Sequence, residues 1–114
     1  MFELQAKTTE HAEIRLYGTV SEWGVINAKD IDNALRAAKK EGYTKVTLRI
    51  HSPGGSIFEG IAVNSVVKTS GLEVHAIVDG IAASMGSAIV VASNYASMHE
   101  GTRMMIHQGA GGIY

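Results

Sequence analysis

Three short stretches hold residue types that chemistry can use. The first is "SPGGS" (Ser52–Ser56), where a proline and two glycines separate an alternating apolar run from an apolar helical one. Proline fixes φ, and glycine allows backbone shapes and close approaches that a Cβ forbids, so such a loop can present bare N–H groups to a ligand. The second is Ala82-Ala83-Ser84-Met85-Gly86, a serine among small residues. A serine nucleophile needs an exposed hydroxyl on a sharp strand-to-helix turn, with neighbours small enough for a carbonyl carbon to approach. The third is "MMIHQ" (Met104–Gln108), which contains His107, a residue able to take the serine proton. Together they suit acyl transfer: Ser84 as nucleophile, His107 as general base, and the N–H groups of Gly55 and Met85 as paired donors to an oxyanion. Each stretch also has a plainer reading. Ser84 can be an N-cap, His107 a hydrogen-bonded structural histidine, and Gly54 and Gly55 a tight turn.

The elements around these stretches must bring them together. Glu13–Val20 alternates apolar and polar residues and predicts a strand. Asn27 then predicts a cap for a helix from Ala28 to about Glu41, with Gly42 closing it. Lys45–His51 predicts a second strand. Ser56 and Glu59 form an S-x-x-E capping box for a helix to about Thr69. Leu72–Gly80 predicts a third strand, Ala82–Ser93 a small-residue helix, and Arg103–Gln108 a fourth strand after a "HEGT" turn. Asp79 is read as part of a turn with Gly80. This alternation calls for an α/β domain with a largely parallel sheet, and such sheets bind ligands at the carboxyl ends of their strands. All three stretches lie at such ends. No linker or repeat divides the chain, so residues 1–114 are read as one domain.

Composition narrows the function classes. Ten Lys and Arg against eleven Asp and Glu leave a net charge of −1, so nucleic acid is not an expected partner. There is no cysteine, which excludes disulfides, thiolate metal sites and a Cys nucleophile. The five histidines lack ligand spacing, and neither a metal nor a cofactor is expected. No apolar stretch approaches the roughly 20 residues of a membrane span, and no signal peptide is visible, so a cytoplasmic location is expected.

In this order and spacing, "SPGGSIFEG", "DGIAASMGSA" and "MMIHQ" resemble the proteolytic subunit of the Clp protease (ClpP) and its phage relatives, the Clp-like head maturation proteases. "YGTVSEWGVINAKDIDNAL" and "RIHSPGGSIFEGIAVNSVV" resemble the phage or prophage branch more closely. The resemblance spans roughly residues 13 to 109. It implies a ClpP/crotonase-like spiral of β-β-α units, with some β structure running across the parallel strands. It also implies a serine endopeptidase with Ser84 as nucleophile, His107 as base, Gly55 and Met85 as oxyanion donors, and Pro53 and Gly54 as the supporting loop. Two departures stand out. His51 occupies a position where the family usually has Asn, and it is expected to brace the loop. The family's third triad residue, an aspartate, lies well downstream of the histidine, so the 114 residues read as a truncated form that lacks it, weakly active or inactive alone.

The implied partners are a polypeptide substrate, further copies of the same chain in a ring, and an unfoldase or a capsid or scaffold protein, all in the host cytoplasm if the chain is phage-encoded. Self-association is expected through an apolar patch that includes the "IAVNSVV" or "SAIVVAS" helices. Two other readings remain: a crotonase-type acyl-CoA enzyme, and a catalytically incomplete scaffold or assembly subunit.

Overall fold

The computed structural model describes residues 5–6 and 11–105. Alternating sequence becomes sheet at its centre. Strands β2 (His11–Tyr17), β3 (Lys45–Ser52) and β4 (Glu73–Ala83) run parallel and side by side. Ile14, Leu16, Val46, Leu48, Ile50, Val74, Ala76 and Val78 point to one face and are almost fully buried. Period-two alternation puts Glu13, Arg15, Tyr17, Arg49, His51 and Asp79 on the opposite face.

A short β1 (Gln5–Ala6) adds antiparallel to β2. Two further strands share the free edge of β4. β5 (Tyr95–Met98) pairs with His75–Val78, and β6 (Arg103–Met105) pairs with Ile81–Ala83, both parallel. All six described strands join one sheet.

Three helices among the described residues pack on that core: α1 (Ala28–Lys40), α2 (Ile57–Lys68) and α3 (Met85–Ala92). Their Ile31, Leu35, Ala38, Val63, Val67, Ile89 and Val90 cluster with the apolar face of the sheet. The α1 start is set by Asn27, whose side chain accepts the Asp30 N–H at 2.9 Å. Lys39 and Lys40 in its last turn suit the negative end of the helix dipole.

Five expectations change. The first strand ends at Tyr17, and Val20 survives only as isolated bridges to Ile26 and Gly55. The third strand continues through Ala83, so Ala82 and Ala83 are sheet rather than helix. Asp79 and Gly80 lie inside that strand and form no turn. Three residues of β4 (79–81) there face the single residue His51, and the ring Nδ1 of His51 accepts the Ile81 N–H at 3.2 Å. The strand Tyr95–Met98 was not foreseen, because all four of its residues are exposed and carry no burial alternation.

The capping box is the fifth, since only half of it forms. Ser56 Oγ accepts the Glu59 N–H at 3.2 Å, while the Ser56 N–H goes to Val20 O at 2.6 Å. The Glu59 carboxylate instead accepts the Ala28 N–H at 2.6 Å and so caps the start of α1.

Candidate active site

Ser84 stands between β4 and α3 with φ 52° and ψ −119°, the one non-glycine residue at positive φ among those described. A side chain held there costs about 1–3 kcal/mol, and such strain persists only where the surroundings impose it. They do so from three sides. The Ser84 N–H donates to Met105 O at 2.9 Å, which fastens the turn to β6. The Ser84 carbonyl accepts the Ser87 N–H at 3.0 Å and the Ser87 hydroxyl at 2.5 Å. The third constraint is the glycine loop. The Ser84 side chain itself makes no capping bond, so the N-cap reading does not hold. The residue is half-buried, with its hydroxyl uncommitted to the helix.

The loop after β3 lies between Val20 and this turn. Val20 N–H donates to Gly54 O at 2.9 Å, and Ser56 N–H donates to Val20 O. These two bonds straddle Gly55 as in a parallel bridge, so the Gly55 N–H is not used by Val20. On the other side Gly54, at φ 99°, presses against the serine turn. A Cβ at Gly54 would lie 2.7 Å from Ala83 O, 2.8 Å from Ser84 Cβ and 3.2 Å from Met85 N. The glycine therefore keeps open the space beside Ser84 and the Met85 N–H. Met85 opens α3, where the first N–H groups have no partner within the helix. Pro53 is exposed at the loop's start.

Ser52 was not singled out from sequence. It is fully buried, and its Oγ accepts the Gly54 N–H at 3.1 Å, which sets the loop's direction. Of the candidate site residues, Ser84, Met85, Gly54 and Gly55 thus gather at one end of the sheet. His107 lies outside the described residues; Met105, two positions before it, is the last described one.

Asp79 has another environment. Arg49 Nε and Nη2 donate to its two carboxylate oxygens at 2.8 and 2.6 Å, the Tyr17 hydroxyl donates to Oδ2, and His99 Nε2 lies 3.1 Å from Oδ1. Burial pushes the Asp79 carboxyl up, but hydrogen bonds from Arg49, Tyr17 and His99 outweigh it and hold the group below its ordinary value. The hydrogen bond to Asp79, aided by burial, raises the Tyr17 phenol. The same carboxylate raises Arg49 against the effect of its burial. Local pattern hid this cluster, although Tyr17, Arg49 and Asp79 occupy positions on the same polar face of three adjacent strands.

No group of three or more potential metal ligands occurs among the described residues. Nor is any described helix long and apolar enough to cross a membrane.

The fold and this corner define an α/β protein with a strained serine at the carboxyl end of a parallel sheet, faced by a glycine loop. A family model for the Clp protease matches residues 2–114, and the chain belongs to that family. It is 42% identical over 72 residues to the "ATP-dependent Clp protease proteolytic subunit 2" of Thermobifida fusca, covering 60% of this chain and 34% of that protein. Against the protein of the same description from Chlamydia pneumoniae it is 39% identical over 70 residues, with the same coverage. The chain thus spans about a third of the length of these curated relatives. Among solved structures, ClpP1 from Listeria monocytogenes superposes with a TM-score of 0.76 at 26% identity, over 90% of this chain and 59% of that one. The ClpP-like fold follows from that match.

Proposed function

We propose that this chain carries the nucleophile and oxyanion site of a serine endopeptidase. Ser84 Oγ attacks the scissile carbonyl while His107 takes its proton, and the N–H groups of Gly55 and Met85 hold the oxygen as it becomes negative. The acyl-enzyme forms when His107 returns the proton to the leaving amine, and water then attacks the ester to release the acid and restore Ser84. Pro53 and Gly54 shape the loop that presents Gly55. The observation that carries this reading is Ser84 itself: a strained, uncapped serine at a strand-to-helix turn, in a chain of the Clp protease family.

Asp79 is not the third triad member in this reading, because both of its carboxylate oxygens are already engaged. The acid comes from outside the described residues, and the 114-residue polypeptide alone is expected to turn over peptides near background. The substrate is an extended polypeptide and the working form a ring of identical chains in the cytoplasm. Ile61 and Val91, exposed on α2 and α3, contribute to the contact between copies. The phage-type role, head maturation with a capsid or scaffold partner, rests on the similarity of the first half of the chain.

Labelling with a fluorophosphonate, followed by peptide mapping, tests the reading. The expected adduct is on Ser84, slow to form, lost in Ser84→Ala and weakened in His107→Ala. Labelling that is unchanged in Ser84→Ala overturns the assignment.

A further inference from the structure

One strand junction connects the polar face of the sheet to the serine turn. β4 changes partners there: Val78 pairs with Met98 at the end of β5, and Ile81 pairs with Arg103 at the start of β6. Asp79 falls between those two pairings. The chain that passes from β5 to β6 is the turn His99–Thr102, and it closes on His99. Thr102 donates to His99 O through its N–H at 3.1 Å and its hydroxyl at 2.7 Å. The side chain of that same His99 meets Asp79 Oδ1. Asp79 cannot swing to follow it, because Arg49 grips the carboxylate in a fork from β3 and Tyr17 holds it from β2. Arg49 is braced in turn by Glu13, whose Oε1 lies 3.5 Å from Nη1.

Beyond the turn, β6 is described over Arg103–Met105, and the Met105 carbonyl accepts the Ser84 N–H. The His99–Thr102 turn delivers the chain to β6, so a contact that fixes the turn bears on where β6 lies against β4. We infer that Asp79, acting through His99, is a positioning residue: it fixes β6 against β4, so that the Met105 carbonyl holds the Ser84 turn in its reactive shape. The part of this inference that concerns reactivity rests on the reading of Ser84 as nucleophile.

The test compares His99→Ala, His99→Gln and Asp79→Ala with the unaltered chain by amide hydrogen exchange, and by the rate of fluorophosphonate capture. Arg36→Ala, which removes an exposed pair with Asp32 on α1, serves as the control. His99 is exposed, so its loss is expected to speed exchange at Ser84 and in β6 by about two- to fivefold, with α1 amides unchanged. Asp79→Ala also takes away the carboxylate that accepts both Arg49 hydrogen bonds, and about tenfold or more is expected after normalising to α1. Capture should slow in parallel, and His99→Gln, which keeps an N–H for Asp79, should restore most of both. Normal capture by the unaltered chain, with either exchange or capture unaffected in His99→Ala, overturns this inference alone. No capture by the unaltered chain overturns the nucleophile reading and the positioning role with it.

Discussion

Replacing Gly54 by alanine should damage the serine turn more than its size implies. The new methyl group would lie 2.7 Å from Ala83 O and 2.8 Å from Ser84 Cβ, closer than real Cβ contacts allow. Both neighbours belong to the backbone corner that fixes Ser84, so neither can rotate aside. Forcing an extra carbon into such a contact costs about 1–3 kcal/mol. The backbone itself, at φ 99°, adds about 1–2 kcal/mol for any residue with a Cβ. The sum is about 2–5 kcal/mol. Gly42 separates the two terms, since it has φ 93° but no atom within 4 Å of an added Cβ. Gly42→Ala should therefore lose only the backbone term. Urea unfolding of both variants gives the difference, expected at about 1–3 kcal/mol in favour of Gly42→Ala. Fluorophosphonate capture at Ser84 should fall about 100-fold in Gly54→Ala, as for a reacting group displaced by about 1 Å, and stay unchanged in Gly42→Ala. Equal stability losses in the two variants, or undiminished capture in Gly54→Ala, would refute the packing described for this corner.

Other outcomes follow from named contacts. Ser84→Gly relieves the positive φ and should be more stable than Ser84→Ala by about 1 kcal/mol in the same urea assay, although neither variant can be labelled. Asp79 titrates below its ordinary value of 3.8, so its contribution is present above that pH and disappears as pH falls through the lowered folded value. Tyr17 titrates above 10.0, so its bond to Asp79 contributes below that pH and is lost as pH rises through the raised value. Unfolding midpoints across pH should accordingly flatten at the acid end in Asp79→Asn and at the alkaline end in Tyr17→Phe. Glu59→Ala should cost about 1 kcal/mol by uncapping α1, measured by thermal or urea unfolding. Sedimentation should show association that grows with concentration and weakens in Ile61→Lys; a monomer at every concentration would rule out the proposed contact.

Local signals located most of the elements. Asn27 caps α1 and Ser56 caps α2 because a cap acts over three residues, a range that sequence displays. Alternation placed β2, β3 and the body of β4 because one face of each is buried. The failures came where partners are distant in the chain. Asp79-Gly80 has the composition of a turn, yet His51, about thirty residues earlier, holds that part of β4 in the sheet. Glu59 turns from its own helix to α1, with donor and acceptor 31 positions apart. β5 escaped because it is exposed throughout. At the candidate site, the residue types at Ser84, Gly54 and Gly55 were legible. The strain at Ser84 was not, since it depends on β4 and β6 being side by side; the Ser52 bond beneath the loop spans only two residues, but no residue type in a glycine loop announces it.

If Ser84 reacts beside two waiting amides, the structure of its phosphonylated adduct will show them engaged. The phosphoryl oxygen is expected about 2.7–3.1 Å from both the Gly55 and the Met85 nitrogens. A phosphoryl oxygen turned away from both, with those two N–H groups bonded elsewhere in the protein, would contradict it.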